Sequence, residues 1–525
     1  MIDKMMNHVK WNIHIGEILY WMFFGLILFA KGIGLYDGQP AFKIVLLASA
    51  ISLLIKLIIE KYPVAEWIKI FSVFTLTFST YLISGEKGLF LYGLMMIGMK
   101  YVNVKKLFAI GTVLWTIAFL GVTITALFHM EDTVYKVHAK LGMGHIFRWS
   151  LGYPHPNVLQ VSYLVLAIFI IYLIGDEFKI KHALWLFAGN CLVFLYSVSY
   201  TGFAVFMCLL VGRIYLMYRK KLNIVEKFLL QLIFPICVLL SLVAPITIKG
   251  KFFNILNQLL STRMELAWRY LKPKYMSLWG VKLSEITTET ITMDNAYLSA
   301  FITYGAIPFG VLCLATMYMI FRYLKENKYL EVLIILTIAV GGLTEPFLYN
   351  TSFKNLSFIF MGSLLFCNKK NCKEKYLLPL RRLHTLDMKV ELNITKPMQW
   401  FEKILKMLSF DRKKCLVGII GAFIIGSVSW FAISYPAGYV VYRTDCADLT
   451  KDKNYYDELN PIYADFKKMG NFELGEEIEY FSGNIVIMEK IRNTVQANLL
   501  GYVIGYCGSE LVKRRRNKNR NIVKL

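Results

Sequence analysis

Arg148 and His155 stand seven residues apart in the run Arg148-Trp149-Ser150-Leu151-Gly152-Tyr153-Pro154-His155-Pro156-Asn157. The run lies between two long apolar stretches. A fixed cation, a titratable imidazole and two prolines at such a boundary cost free energy unless they serve a site. A guanidinium presents a planar fork of donors suited to phosphate, and an imidazole exchanges protons near neutral pH. Pro156 suits a first helical position, where its missing N–H would have no partner anyway. From these residues alone, Arg148 as a headgroup anchor and His155 as a plain helix cap stay open as readings.

A second group begins at Ser261-Thr262-Arg263-Met264-Glu265. It continues through Trp268, Arg269, Lys272, Lys274 and Trp279, and closes on Asp294-Asn295-Ala296-Tyr297-Leu298. Arg263, Glu265 and Arg269 fall at helical spacing and make a cationic face with one carboxylate, which an interfacial amphipathic helix would also show. Asp294-Asn295, just before an apolar run, reads equally as a helix N-cap. A third piece is Thr344-Glu345-Pro346, with Asn350 and Asn355 beyond it. Glu345 at the end of an apolar run either pairs with an arginine to hold helices together or shapes a site.

The elements that must position these residues are membrane helices. Hydrophobic residues make up 57% of the 525 positions and charged residues 18%, against about half and about a quarter in a soluble domain. Apolar runs of roughly 18 residues or more recur along the chain. They fall near 17–35, 42–59, 66–83, 88–102, 107–128, 157–175, 183–199, 200–218, 228–248, 296–321, 331–349, 355–367, 415–434 and 494–511. None alternates as a barrel strand would. The expected fold is an all-α polytopic integral membrane protein with about 12–14 transmembrane helices and a large external loop at 249–295.

The net charge of +24 is distributed in a way that speaks against nucleic acid as a partner. Basic residues gather at Arg219-Lys220-Lys221, from Lys369 to Lys414, and at Lys513-Arg514-Arg515-Arg516, each beside an apolar run. That is the positive-inside pattern, with added attraction to anionic lipid. It places both termini in the cytoplasm. Outside it places 129–156, the hairpin tip 197–202, the loop 249–295 and the segment 436–493. From 436 to 492 the balance reverses, to seven Lys/Arg against eleven Asp/Glu. The nine cysteines show no CxxC pair and no histidine spacing suited to zinc, so neither a disulfide framework nor a metal site is expected. The first apolar run lacks a small-residue cleavage site and reads as a retained span. The expected organisation is a transmembrane domain over 1–367, a basic cytoplasmic linker over 368–414, a two-helix hairpin over 415–511 enclosing the external segment, and a basic tail over 512–525.

Five motifs together resemble the O-antigen polymerase/ligase superfamily. They are Arg-x-x-x-Gly-Tyr-x-His-Pro-Asn at 148–157, Tyr196-Ser-Val-Ser-Tyr-Thr-Gly202, Ser-Thr-Arg263 with Trp268, Asp294-Asn-x-Tyr-Leu, and Thr344-Glu-Pro. Within that superfamily the chain is most similar to polysaccharide polymerases of Gram-positive capsule and exopolysaccharide clusters. The resemblance spans roughly residues 15 to 367 and leaves out the 415–511 hairpin.

The resemblance implies a metal-independent glycosyl transfer, with no cofactor, at the outer face of a bacterial plasma membrane. A glycan carried on polyprenyl (undecaprenyl) diphosphate would pass to a lipid-linked repeat unit. His155 and Asp294 are then the candidates for the base. Arg148, Arg263 and Arg269, with Asn157, Glu265, Asn295, Tyr297 and Glu345, are the candidate contacts to diphosphate and sugar. Implied partners are lipid-linked oligosaccharides, membrane lipids, and a chain-length regulator and flippase of the same pathway. Two alternatives stand beside it: an O-antigen-type ligase acting on a lipid, protein or wall acceptor, and a lipid-linked glycan flippase or other transporter. The sequence departs from the family at Asp294, where related ligases often carry His, and at Tyr200, where Arg is usual. The first departure favours polymerase over ligase.

Overall fold

A computed structural model describes residues 10–129, 135–140, 144–260, 263–282, 293–366, 389–393, 412–432 and 483–522. The chain divides into two compact units, a larger one of residues 10–134 and 150–393 and a smaller one of 1–9, 135–149 and 394–525.

The larger unit opens with a short strand, β1 (Lys10–His14), and then α1 (Ile15–Gly32), α2 (Pro40–Ile59), α3 (Val64–Ser84), α4 (Gly88–Ile97) and α5 (Val104–Phe128). After the excursion into the smaller unit come α6 (Pro156–Ile174), α7 (Ile180–Ser197), α8 (Tyr200–Tyr218) and α9 (Ile224–Leu242). Four shorter helices follow: α10 (Ala244–Thr247), α11 (Gly250–Leu259), α12 (Arg263–Tyr270) and α13 (Ala296–Tyr304). The unit ends with α14 (Ala306–Lys325), α15 (Tyr329–Gly341), α16 (Ser357–Leu365) and a strand at Lys389–Asn393 that pairs antiparallel with β1. The smaller unit holds the antiparallel hairpin β2 (Tyr135–Lys140) and β3 (Gly144–Trp149), and the helices α17 (Arg412–Ala432) and α18 (Gly483–Ile522).

The protein is therefore an all-α polytopic membrane protein. Ten of its described helices are long and apolar enough to cross a bilayer, and α4 and α15 are shorter apolar helices. Each of the fourteen apolar runs is helical over most of its length, with three departures, the first being the run 228–248, which is α9 and α10 broken at Val243. The run 296–321 is two helices broken at Gly305, and the run 331–349 stops being helical at Gly341. The two strand pairs were not expected. The 249–295 loop contains α11, α12 and a 3-10 turn at Pro273–Tyr275, with 261–262 and 283–292 outside the described residues. Most of the basic linker and 436–482 of the expected external segment also lie outside them. Residues 483–493 of that segment are instead the start of α18, which runs on through the basic tail to Ile522.

Two features of the larger unit shape its polar interior. Helix α6 is buried along most of its length, packing on α5, α7 and α8. Its Gln160 amide donates to Asn190 of α7 (2.6 Å) and accepts from the Ser197 hydroxyl (2.8 Å), so the α7–α8 turn is tied to α6. A Cβ on Gly202 would meet the Gln160 side chain at 2.6 Å. The unit also buries lysines, and Lys56 and Lys100 each face a carboxylate, Glu60 and Glu66. Pairing is what makes a buried charge tolerable.

Candidate functional site

The site begins at the entry to α6. His155 is the N-cap residue, and its Nδ1 accepts the backbone N–H of Asn157 (3.1 Å). A neutral imidazole that accepts at Nδ1 carries its hydrogen on Nε2. Pro156 occupies the first helical turn, as its chemistry allows. The approach is tight. Leu151 is buried with φ +44°, followed by Gly152 at φ +81°, and a Cβ on Gly152 would crowd Val122 of α5. This left-handed turn is costly for leucine. It brings Tyr153 inward, where its hydroxyl donates to the Gly32 carbonyl (3.2 Å).

From the cap, contacts run to distant parts of the sequence. The Asn157 amide donates to Glu345 Oε1 at 2.7 Å. Glu345 is buried and extended (φ −137°), as a residue preceding proline should be. Its neighbour Thr344 offers its carbonyl to the Arg263 guanidinium at 3.0 Å, and the same Nη2 reaches Asp294 Oδ2 at 3.1 Å. Arg263 starts α12, and Asp294 immediately precedes the cap of α13. Four segments far apart in the chain, at 155–157, 263, 294 and 344–345, thus form one connected set. The Arg263 side chain is only 11% exposed while that of Asp294 is 46% exposed, so the pair reaches the surface through its carboxylate.

Other expected residues take different places. Asn295 is buried as the N-cap of α13, accepting the N–H groups of Tyr297 and Leu298 and donating to Ser241 (2.8 Å). Tyr297 is fully buried and donates to the Ala339 carbonyl (2.6 Å). Both hold α13 against its neighbours and thereby place Asp294. Glu265 and Arg269 pair with each other across one turn of α12 (2.5 Å) on an exposed face, where such a pair contributes little. Arg148 belongs to the smaller unit, buried on β3 opposite Lys136. Beside it, the Trp149 indole donates to Glu489 of α18 (3.0 Å).

Lys354 was not singled out by the sequence reading. It is buried and donates to Ser162 Oγ of α6 at 2.9 Å, and its amine is pushed down to about 7, chiefly by burial, against an opposing pull from Glu345 and with reinforcement from Lys31. The available signal was a lone lysine, Phe353-Lys354-Asn355, between two apolar runs. Among the described residues, no three His, Cys, Asp or Glu side chains gather as a metal ion would require. Between α1 and α5, lined by Phe29, Ile33, Ile117, Gly121 and Val122, lies an open, mainly apolar groove of about 610 Å³ that reaches Gly152. No family model, no curated protein and no solved structure matches the chain.

Proposed function

We propose that the chain is a polysaccharide polymerase of the bacterial plasma membrane, joining lipid-linked repeat units by glycosyl transfer from a polyprenyl-diphosphate donor at the outer face. The observation that carries this reading is the connection of His155-Asn157, Arg263, Asp294 and Thr344-Glu345 into one set, because these are the motifs on which the family resemblance rests. The groove beside Gly152 has the mainly apolar lining that a polyprenyl chain needs.

In the resting site Arg263 holds Asp294. A diphosphate is the stronger partner for a guanidinium, since it brings more charge and a matching geometry. Its arrival displaces the carboxylate. Asp294 is then able to accept the hydrogen of the acceptor sugar's hydroxyl as that oxygen attacks the anomeric carbon. The bond from that carbon to the diphosphate breaks, and polyprenyl diphosphate leaves with its growing negative charge met by Arg263. His155, its Nδ1 occupied by the helix cap, contributes an Nε2 hydrogen-bond donor rather than a base.

The test is purified protein with a synthetic lipid-linked repeat unit, followed by deletion of the gene and sizing of the surface polysaccharide. A polymerase lengthens the repeat in vitro, and its loss leaves single repeats on lipid. Full-length chains that lack their final attachment would point to a ligase, and intermediates trapped inside would point to a flippase.

A further inference from the structure

Lys354 is buried without a carboxylate. Its ammonium has Ser162 Oγ at 2.9 Å, the Val158 carbonyl at 3.5 Å, and the rings of Tyr153 and Trp115 at 5.8 and 6.0 Å. Among the described residues no acidic oxygen lies within 4.0 Å of it, in contrast to Lys56 and Lys100. The charged groups that act on it from a distance are Glu345, which favours the charged form, and Lys31 of α1, which opposes it. The other titratable side chains nearby are Tyr153 and His155 at the entry to α6, Tyr163 on α6, and Tyr92 of α4, whose hydroxyl accepts the Asn355 N–H at 3.2 Å.

The backbone is strained to keep it there. Phe353 is buried at φ +59°, its ring packed among Phe23, Phe24 and Tyr92. That left-handed kink sends the next side chain toward α6. An unpaired buried ammonium and a strained phenylalanine both oppose folding, so a role in the site is the economical reason for them. Lys354 also touches the helix that carries Asn157 and senses the carboxylate that Asn157 binds.

We propose that Lys354 is a positioning residue that takes up a proton from solvent when an anionic diphosphate enters the site and gives it back when the diphosphate leaves. In the empty site burial pushes the amine down to about 7, so both its neutral and charged forms are populated near physiological pH. Negative charge arriving beside Arg263 and Glu345 favours the ammonium form, whose charge favours the Glu345 geometry bound to Asn157. The proton passes between the amine and bulk water, and no bond in the substrate changes. This inference rests on the polyprenyl-diphosphate reading of the site.

The experiment uses the full chain in lipid nanodiscs and farnesyl diphosphate as the probe. Binding is measured calorimetrically in two buffers of different ionisation enthalpy, at about pH 7 and about pH 8, so that proton uptake is counted directly. Wild type is expected to take up a further fraction of a proton, up to one, beyond that of Lys354→Met and Lys354→Gln. Its affinity should weaken up to about tenfold per pH unit above neutrality, while both variants bind more weakly with a flatter pH dependence. Protonation of the probe itself is common to all three proteins and cancels. Equal proton counts and equal pH slopes in wild type and variants overturn the inference while leaving the diphosphate reading intact. No binding of the probe by wild type overturns both.

Discussion

Arg263 holds Asp294 and the Thr344 carbonyl with one guanidinium nitrogen, and the proposed reaction asks it to exchange the first partner for a diphosphate. Arg263→Ala should then lower polymerisation of a synthetic lipid-linked repeat on the order of 100–1,000-fold, the usual loss when a charge-stabilising donor is removed. Arg263→Lys keeps the charge but loses the fork and should recover only part of that. Wild-type rates in the lysine variant would show that a point charge is enough. Asp294→Asn should lose most turnover at unchanged protein level, whereas His155→Asn, which preserves an N-cap acceptor, should keep most of it. A strong loss in His155→Asn would return the imidazole to the role of base. Lys354 makes a separate prediction about stability. An unfolded lysine titrates near ~10.4, and here the folded amine is pushed down to about 7. Between those values the unfolded chain binds more protons, so stability rises with pH through that window. Below about 7 the cost of burying the charge, on the order of a few kcal/mol, is fully present. Lys354→Met should therefore melt at higher temperature than wild type near pH 6, with the advantage shrinking as pH climbs toward about 10. A variant no more stable than wild type at the acid end would contradict the buried, unpaired amine.

At the scale of elements, the site depends on places where helices stop. Gly305 separates α13 from α14 at φ +86°, and Gly280, at φ +93°, lies directly against it. The close approach lets the N–H groups of Ala306 and Ile307 donate to the carbonyls of Ser277 and Leu278 (2.9 and 3.0 Å). This docks the segment after α12 onto the junction of α13 and α14, which helps to set Arg263 within reach of Asp294. Gly305→Ala forces both a positive φ and a backbone clash, and should lower the melting temperature and the transfer rate together. An alanine variant that melts like wild type would show that the docking does not hold the pair. The sequence made the helices legible because long apolar runs report burial in lipid or protein, and it made the cap at His155-Pro156 legible because those residues have specific uses there. It did not reveal the break at Gly305 or the early end of α15 at Gly341. Hydropathy is unchanged when an apolar run turns, and a lone glycine is compatible with both outcomes. Lys354 was hidden for the converse reason. A lysine between apolar runs is ordinarily a boundary residue that reaches for water, and only the kink at Phe353 directs this one inward. Among the residues of the connected set, chemistry singled out each one, but their partners could not be known before the chain was folded.

For the molecule as a whole, the question is which end of the larger unit faces out. The proposed donor is presented at the outer leaflet, so α12 and Asp294 must lie on that side, and the connection between α8 and α9 must lie on the other. The charges agree with this arrangement. Arg219, Lys220 and Lys221 are all exposed in the α8–α9 connection, where the positive-inside rule places them in the cytoplasm. Carboxylate pairing does not separate the two ends, since Arg263 pairs with Asp294 and Arg269 with Glu265 near α12, and Arg219 of the α8–α9 connection pairs with Glu226. The experiment is cysteine accessibility in a background with the nine native cysteines replaced. Those among the described residues are free thiols, so their replacement breaks no disulfide there. Trp268 is 56% exposed on α12, and Trp268→Cys should react with a membrane-impermeant maleimide in intact cells. Lys220→Cys should react only after the membrane is opened. The reverse pattern would place the Arg263–Asp294 pair in the cytoplasm, out of reach of a donor held at the outer leaflet, and would end the proposed reaction whatever the activity of the individual variants.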